Sequence, residues 1–341
     1  MSGQPAVGAT GPGARRLRVL SGMRPTGPLH LGNYFGALKQ WVELQDRYEC
    51  YFCIVDWHAM MSEYADPSAI RANVREVLLD WLAAGLDPER SVLFVQSAVP
   101  EHAELHLLFS AITPLGWLER NPTYKEQLRE LTTRDIHTYG YLGYPVLQAA
   151  DICMYKADLV PVGIDQAAHL ELTREIVRRF NSLYGPVFPE PQTLLSETPK
   201  VPGVDGRKMS KSYGNAIYLC DEPAAIEEKI LNMLTDPARK RRSDPGNPDV
   251  CPVFDYRKLF SSPETVAYVN RACRAAEIGC VEDKRGLAAD VVEQLRPISE
   301  RRRRLAADPA RLEAILAEGN RRARAVAQRT MEEVRRAVKL A

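Results

Sequence analysis

Four short apolar runs separated by longer amphipathic stretches constrain this chain more than any other feature: Leu17–Ser21, Cys50–Val55, Val92–Gln96 and Leu159–Val162. Runs of this kind suit strands buried on both faces, as in a parallel sheet covered by helices. Between two of them, Pro67–Ala84 carries a helical signature. Ile70, Val74, Val77, Leu78, Trp81 and Leu82 share one face, Asp66 stands at the cap, Pro67 in the first turn and Gly85 past the end. Alternation of strands and helices predicts an α/β fold, a Rossmann-like doubly wound parallel sheet with ligands at the carboxyl ends of its strands. A Pro- and Gly-rich break over 196–214 ends the pattern, and residues 222–341 read as helices around a Pro-rich loop, Asp236–Pro252. The expected layout is a flexible tail over 1–16, the sheet domain over 17–206, a loop over 207–214 and a helical domain over 215–310. A last helix over 311–341 is expected to pack back towards the first domain.

At 341 residues the chain is long enough for two sizeable cores. Its net charge of +1 is balanced, but residues 285–341 hold 14 Arg or Lys against 8 Asp or Glu. Such a surplus suits a polyanionic partner. No stretch is long and apolar enough to cross a bilayer, so no membrane partner is expected. The Ala-, Gly- and Pro-rich first residues lack the apolar core of a secretory signal. Seven cysteines, scattered, do not make a disulfide scaffold, so a reducing cytoplasm is the expected location.

Two segments carry the chemistry. Ser21-Gly-Met-Arg-Pro-Thr-Gly-Pro-Leu-His-Leu-Gly-Asn33 follows a strand and opens a helix. Free N–H groups and the helix dipole favour phosphate there. Gly22, Gly27 and Gly32 allow close backbone approach, and His30 and Asn33 both carry donors. The glycine spacing is not the dinucleotide pattern, which disfavours a nicotinamide cofactor. Far downstream, Lys208-Met-Ser-Lys-Ser212 sets two ammonium groups and two hydroxyls in a Gly-rich loop, suited to neutralising charge on a triphosphate.

Together the two segments resemble the signature motifs of class I aminoacyl-tRNA synthetases, usually written HIGH and KMSKS. A third segment, Tyr144-Pro-Val-Leu-Gln-Ala-Ala-Asp-Ile-Cys-Met-Tyr-Lys-Ala-Asp-Leu-Val-Pro-Val-Gly-Ile-Asp-Gln166, is similar to the tryptophanyl-tRNA synthetase family over its whole length. The likeness continues through His169-Leu-Glu-Leu-Thr-Arg-Glu-Ile, Cys53-Ile-Val-Asp-Trp-His58 and Phe94-Val-Gln-Ser97. The resemblance implies that His30, Asn33, Lys208 and Lys211 carry catalysis. It implies an ATP site built from Arg24, Pro25, Thr26, Gly32, Asn33, Gly163, Ile164, Asp165, Val201 and Lys208-Met209-Ser210-Lys211-Ser212, with Mg²⁺ on the phosphates. No metal ligands are expected from the protein. L-tryptophan would be held by Gly22, His58, Tyr144, Gln148, Asp151, Ile152, Val160, Val162 and Gln166. An indole needs an apolar slot and one acceptor for its N–H; Asp151 supplies the acceptor, and Ile152, Val160 and Val162 the walls. An acceptor left unpaired penalises amino acids without the donor, so no editing domain is required.

The family further implies tRNA(Trp) as partner, a homodimer paired near residues 100–145, and no role for DNA. Arg24 stands where the family often has Gln, adding charge near the phosphates or the substrate carboxylate. Gln148, where Met is frequent, makes the pocket more polar. Two rival readings are a tyrosyl-tRNA synthetase and a synthetase-like regulatory or binding paralogue with weak charging. Ala149-Ala-Asp-Ile152 and Val160-Pro-Val-Gly163 argue against the first, the two intact signatures against the second.

Weaker features read more plainly. Cys251, Cys273 and Cys280 are similar to an iron–sulfur pattern of some family members, but Asp283 holds the fourth position, so three unligated thiols are expected. Cys50 and Cys53 should face opposite sides of a strand as core. His102 and His106 share a helix face without the Glu of a zinc motif. Arg239-Lys-Arg-Arg242 suits an RNA contact; Arg301–Arg304 suits either RNA or solvent.

Overall fold

The computed structural model describes residues 15–122, 124–125, 137–163, 167–195 and 201–340. Five strands, β1 (Arg18–Met23), β2 (Glu49–Ile54), β3 (Ser91–Val95), β4 (Leu159–Val162) and β5 (Gln192–Leu195), form one sheet in the order β3-β2-β1-β4-β5. All its pairings are parallel. The sequence predicts four of these strands to within a residue or two and misses β5. Both faces are buried, which is why the strands read as continuous apolar runs. Cys50, Phe52 and Ile54 enter one core; Tyr51, Cys53 and Val55 enter the other. Cys50 and Cys53 are therefore core residues on opposite faces. The chain moves from β1 to β2 on one side and later returns to β4 on the other, so the switch point lies between the carboxyl ends of β1 and β4.

After β1 comes a helix of three parts, α1 (Leu31–Asn33), a π-helical stretch (Tyr34–Leu38) and α2 (Lys39–Leu44). α3 (Asp56–Glu63) and α4 (Ile70–Ala84) follow β2. α4 starts three residues later than the sequence predicts: Asp66 accepts the Ser68 N–H at 3.1 Å instead of capping the helix, and the chain completes a turn first. Gly85 ends it in the left-handed conformation, φ 117°, as expected. Among the described residues of the sheet region, α5 (Glu101–Ile112), α6 (Leu115–Glu119), α7 (Tyr139–Met154) and α8 (Ala167–Tyr184) follow.

Beyond the break come α9 (Pro223–Leu231), α10 (Pro252–Phe260), α11 (Pro263–Arg274), α12 (Cys280–Ala306) and α13 (Pro309–Val338). α12 packs on α4 and shares its apolar core, through Leu287, Val291, Leu295 and Ile298. α13 lies along the edge strand β3. A Cβ on Gly319 would stand 1.8 Å from the Leu93 carbonyl oxygen, so only glycine allows this approach, and Asn320 Oδ1 accepts the Val95 N–H at 2.9 Å. A helix thus covers one sheet edge.

Candidate active site

The turn after β1 is built from backbone. His30 caps α1: its Nδ1 accepts the Asn33 N–H at 3.2 Å, and Asn33 Oδ1 accepts the His30 N–H at 3.2 Å. Burial and the neighbouring Lys211 charge lower the His30 pKa to about 4, so the ring is neutral near pH 7. With Nδ1 accepting, the ring proton sits on Nε2, which remains a donor alongside Asn33 Nδ2. Leu31 donates its N–H to Ile217 O and Leu29 O accepts from Leu219 N, each at 2.9 Å.

This antiparallel junction seats the Lys208–Ser212 loop over the turn. Gly32 N–H meets Met209 Sδ at 3.4 Å; Lys211 Nζ donates to Gly27 O at 2.8 Å and Thr26 Oγ1 at 3.4 Å. Gly27 adopts φ +109°, a backbone conformation that favours glycine, and a Cβ on Gly32 would press the His30 ring at 3.0 Å, so both glycines shape the turn itself. Burial lowers the Lys211 pKa to about 8. Asn215, buried and unremarked in the sequence, braces the loop: its Oδ1 accepts the Ser210 N–H at 2.8 Å and its Nδ2 donates to Lys208 O at 3.1 Å. Lys208 and Ser212 are exposed, whereas Pro25 and Val201 are buried. Arg24 bonds Ser62 of α3 at 3.4 Å.

The second half of the site is α7. Tyr144, Gln148 and Asp151 follow one another at helical spacing along one face, and Asp151 is buried. Its Oδ1 accepts from His102 Nδ1 at 2.6 Å and Gln96 Nε2 at 2.8 Å; its Oδ2 accepts from His58 Nε2 at 3.0 Å and Gln96 Nε2 at 2.9 Å. Burial alone would push this carboxyl up, but the hydrogen bonds from His102 and His58 hold it at about 2, so it stays an anion. The Tyr144 hydroxyl meets His169 Nε2 at 2.6 Å, and its ring stands 6.2 Å from that of His58, edge to face. Ile152, Val160 and Val162 are buried in one apolar core, and Gln148 is half-buried. Gly22 lies at the end of β1, Gly163 just past β4; Ile164, Asp165 and Gln166 lie outside the described residues.

Sequence reasoning missed Gln96 and His102, which hold Asp151, and Tyr155, whose hydroxyl takes the other His102 nitrogen at 2.8 Å. Gln96 lies inside Phe94-Val-Gln-Ser97 and His102 at i, i+4 from His106. Gln96 stands out as a polar residue after an apolar run, whereas His102, beside Glu101 and Glu104, gives no such signal.

The basic clusters divide. Arg239 is a structural group: Nη1 lies 3.7 Å from both Cys273 Sγ and Cys280 Sγ, and Nη2 donates to Arg242 O at 2.8 Å and Ile278 O at 2.7 Å. Lys240, Arg241 and Arg242 are exposed. Asp283 pairs with Arg257 at 2.8 Å. Three thiols, a guanidinium between two of them and a committed carboxylate do not match the four-thiolate set of a cluster. Arg301, Arg303 and Arg304 are exposed, as the solvent reading of Arg301–Arg304 expects, but Arg302 is half-buried. Arg301 bonds Ala83 O at 2.7 Å, and Arg302 pairs with Asp80 at 2.7 Å and with Glu76. Among the described residues no group of three or more His, Cys, Asp or Glu gathers to hold a metal ion, and no helix is long and apolar enough to cross a membrane.

A parallel sheet with a phosphate-type turn at its switch point, closed by a lysine loop, is the design of a nucleotide-using synthetase. Residues 13–296 match the family described as tRNA synthetases class I (W and Y). The chain belongs to these class I synthetases, and within them to the tryptophan–tRNA ligases. The tryptophan–tRNA ligase of Thermotoga maritima is 54% identical over 95% of this chain and 99% of its own length; that of Aquifex aeolicus is 47% identical over 95% and 100%. The tryptophanyl-tRNA synthetase structure from Campylobacter jejuni, described as complexed with ADP and tryptophan, superimposes with a TM-score of 0.86 at 33% identity, covering 95% of this chain and 100% of that one.

Proposed function

We propose that this chain activates L-tryptophan with ATP and transfers it to the 3′ end of tRNA(Trp). The observation that carries the reading is the seating of Lys211 and Met209 on the turn that holds His30. The tryptophan carboxylate attacks the α-phosphate, giving tryptophanyl-adenylate and pyrophosphate. His30 Nε2–H and Asn33 Nδ2 hold phosphate oxygens. Lys211 exchanges Gly27 O and Thr26 Oγ1 for the leaving pyrophosphate, and the exposed Lys208 joins it. No covalent enzyme intermediate is needed, so catalysis is positioning and charge neutralisation. Mg²⁺ would enter on the phosphates and neutralise part of their charge.

Asp151 takes the indole N–H. Its two oxygens offer about four acceptor directions, and His58, Gln96 and His102 occupy them closely enough that a bound indole competes with His58 or the shared Gln96 bond. Tyr144 and Gln166 hold the substrate ammonium; Gly163, Ile164 and Asp165 border the ribose. Exposed Leu107, Leu115 and Tyr139 support pairing of two copies near residues 100–145. The exposed Lys240–Arg242 loop suits tRNA phosphates. The relatives' names favour tryptophan over the tyrosine alternative. Charging total tRNA with labelled tryptophan tests the proposal: stoichiometric ester on one isoacceptor is expected. Normal adenylate formation without charging would favour the regulatory paralogue.

A further inference from the structure

Asp80, on α4, is fully buried and plays no part in the scheme above. One carboxylate oxygen accepts the Leu29 N–H at 2.6 Å; the other accepts Arg302 Nε at 2.7 Å. Leu29 immediately precedes His30, and its own carbonyl is tied to Leu219 just beyond the lysine loop. Arg302 stands on α12, in the helical C-terminal half, and reaches Glu76 with a second nitrogen. A charge this deep in a core is costly unless paired, and burial pushes the Asp80 carboxyl up against the Leu29 N–H and Arg302, which favour the anion. The same anion favours the protonated form of Lys211. One side chain thus touches the backbone of the phosphate turn, acts on the ammonium that closes it, and is held in place by an arginine from the other half of the molecule.

We propose that Asp80 and Arg302 are a positioning pair through which the helical half sets the geometry of the His30 turn. The pair governs the rate of adenylate formation rather than substrate affinity. The inference rests on the reading of that turn as the phosphate site. A simple structural tie would cost stability and leave the turnover of folded protein unchanged. A positioning pair lowers kcat, since misplacement of reacting groups by about an ångström costs on the order of 10²-fold.

The test is tryptophan-dependent ATP–pyrophosphate exchange on the full chain, with kcat and KM measured below each variant's melting transition. Asp80→Asn and Arg302→Gln should each lower kcat by about tenfold or more, with the tryptophan KM within about twofold. The double variant should be no worse than the poorer single, because both act through one contact. Arg302→Lys, which keeps the charge against Asp80, should recover most of the rate. Glu76→Gln, which touches the same guanidinium but not the turn, should keep kcat within about twofold. Wild-type kcat in Asp80→Asn and Arg302→Gln, with only a lower melting temperature, overturns the pair while wild-type exchange leaves the phosphate-site reading standing. The same holds for equal losses in Glu76→Gln and Arg302→Gln. If Asp80→Asn fails to fold, an unchanged kcat in Arg302→Gln alone overturns the proposal. Absence of exchange in the wild-type chain overturns both.

Discussion

The turn after β1 and the surroundings of Asp151 both lie past the carboxyl ends of the strands, yet their polar groups are satisfied in opposite ways. In the turn, the partners from the lysine loop meet backbone: Lys211 rests on Gly27 O and Gly32 N–H on Met209 Sδ, while Asp80 holds the Leu29 N–H. The contacts of the lysine loop are exchangeable, and in the proposed reaction a polyphosphate replaces them. Around Asp151 the donors come from three separate places, α3, the residue after β3 and α5, and they lock one buried carboxylate. A site that must follow charge onto a leaving group needs exchangeable partners. A site that must choose one amino acid needs an acceptor held by several partners at once, so that yielding one bond to the substrate does not misplace it.

Removing the mobile cation should have the largest effect. Lys211→Ala should lower adenylate formation by roughly 10²- to 10³-fold and leave tryptophan affinity, measured by equilibrium binding, nearly unchanged. Equal losses in both would erase the contrast between the two regions. Asp151→Ala should do the reverse, with discrimination between tryptophan and phenylalanine in pyrophosphate exchange falling by roughly 10²-fold or more. Unchanged discrimination would move the indole acceptor elsewhere.

His102→Gln should have a smaller effect, raising the tryptophan KM by about tenfold, since Asp151 then loses one donor but keeps Gln96 and His58. A kcat loss without a KM change would place His102 with the turn instead. The smallest effect is on pH. Lys211 has its pKa lowered to about 8, so its charge is present below that value and lost as pH rises through it. The kcat/KM for ATP, which reports the free enzyme, should decline on that limb, and Lys211→Arg should move the decline upward. Asp151, held at about 2, contributes no limb near neutrality; the stability of its pairing is present above its unfolded value of 3.8 and is lost as pH falls towards about 2.

The sheet and the strand-to-helix turn after β1 were legible because their determinants are local: continuous apolar runs mark strands covered on both faces, and glycines bracket the turn. β5 escaped because four residues at a sheet edge carry no period. The start of α4 slipped because Asp66 closes its own turn with Ser68 rather than capping the helix. Around Asp151 only the residues of one helix and of a resembling segment were readable. Gln96 and His102 join it through tertiary packing that no spacing encodes. The same limit hid Asp80 and Arg302, brought together from α4 and α12, and merged the half-buried Arg239 with its exposed neighbours.

The central claim is that one crevice makes an adenylate from tryptophan in particular. Pyrophosphate exchange measured side by side with tryptophan, tyrosine and phenylalanine, using the wild-type chain, tests it most directly. Exchange with tryptophan is expected at a kcat/KM roughly 10³-fold or more above either competitor. Comparable exchange with tyrosine, or none with tryptophan, would contradict it.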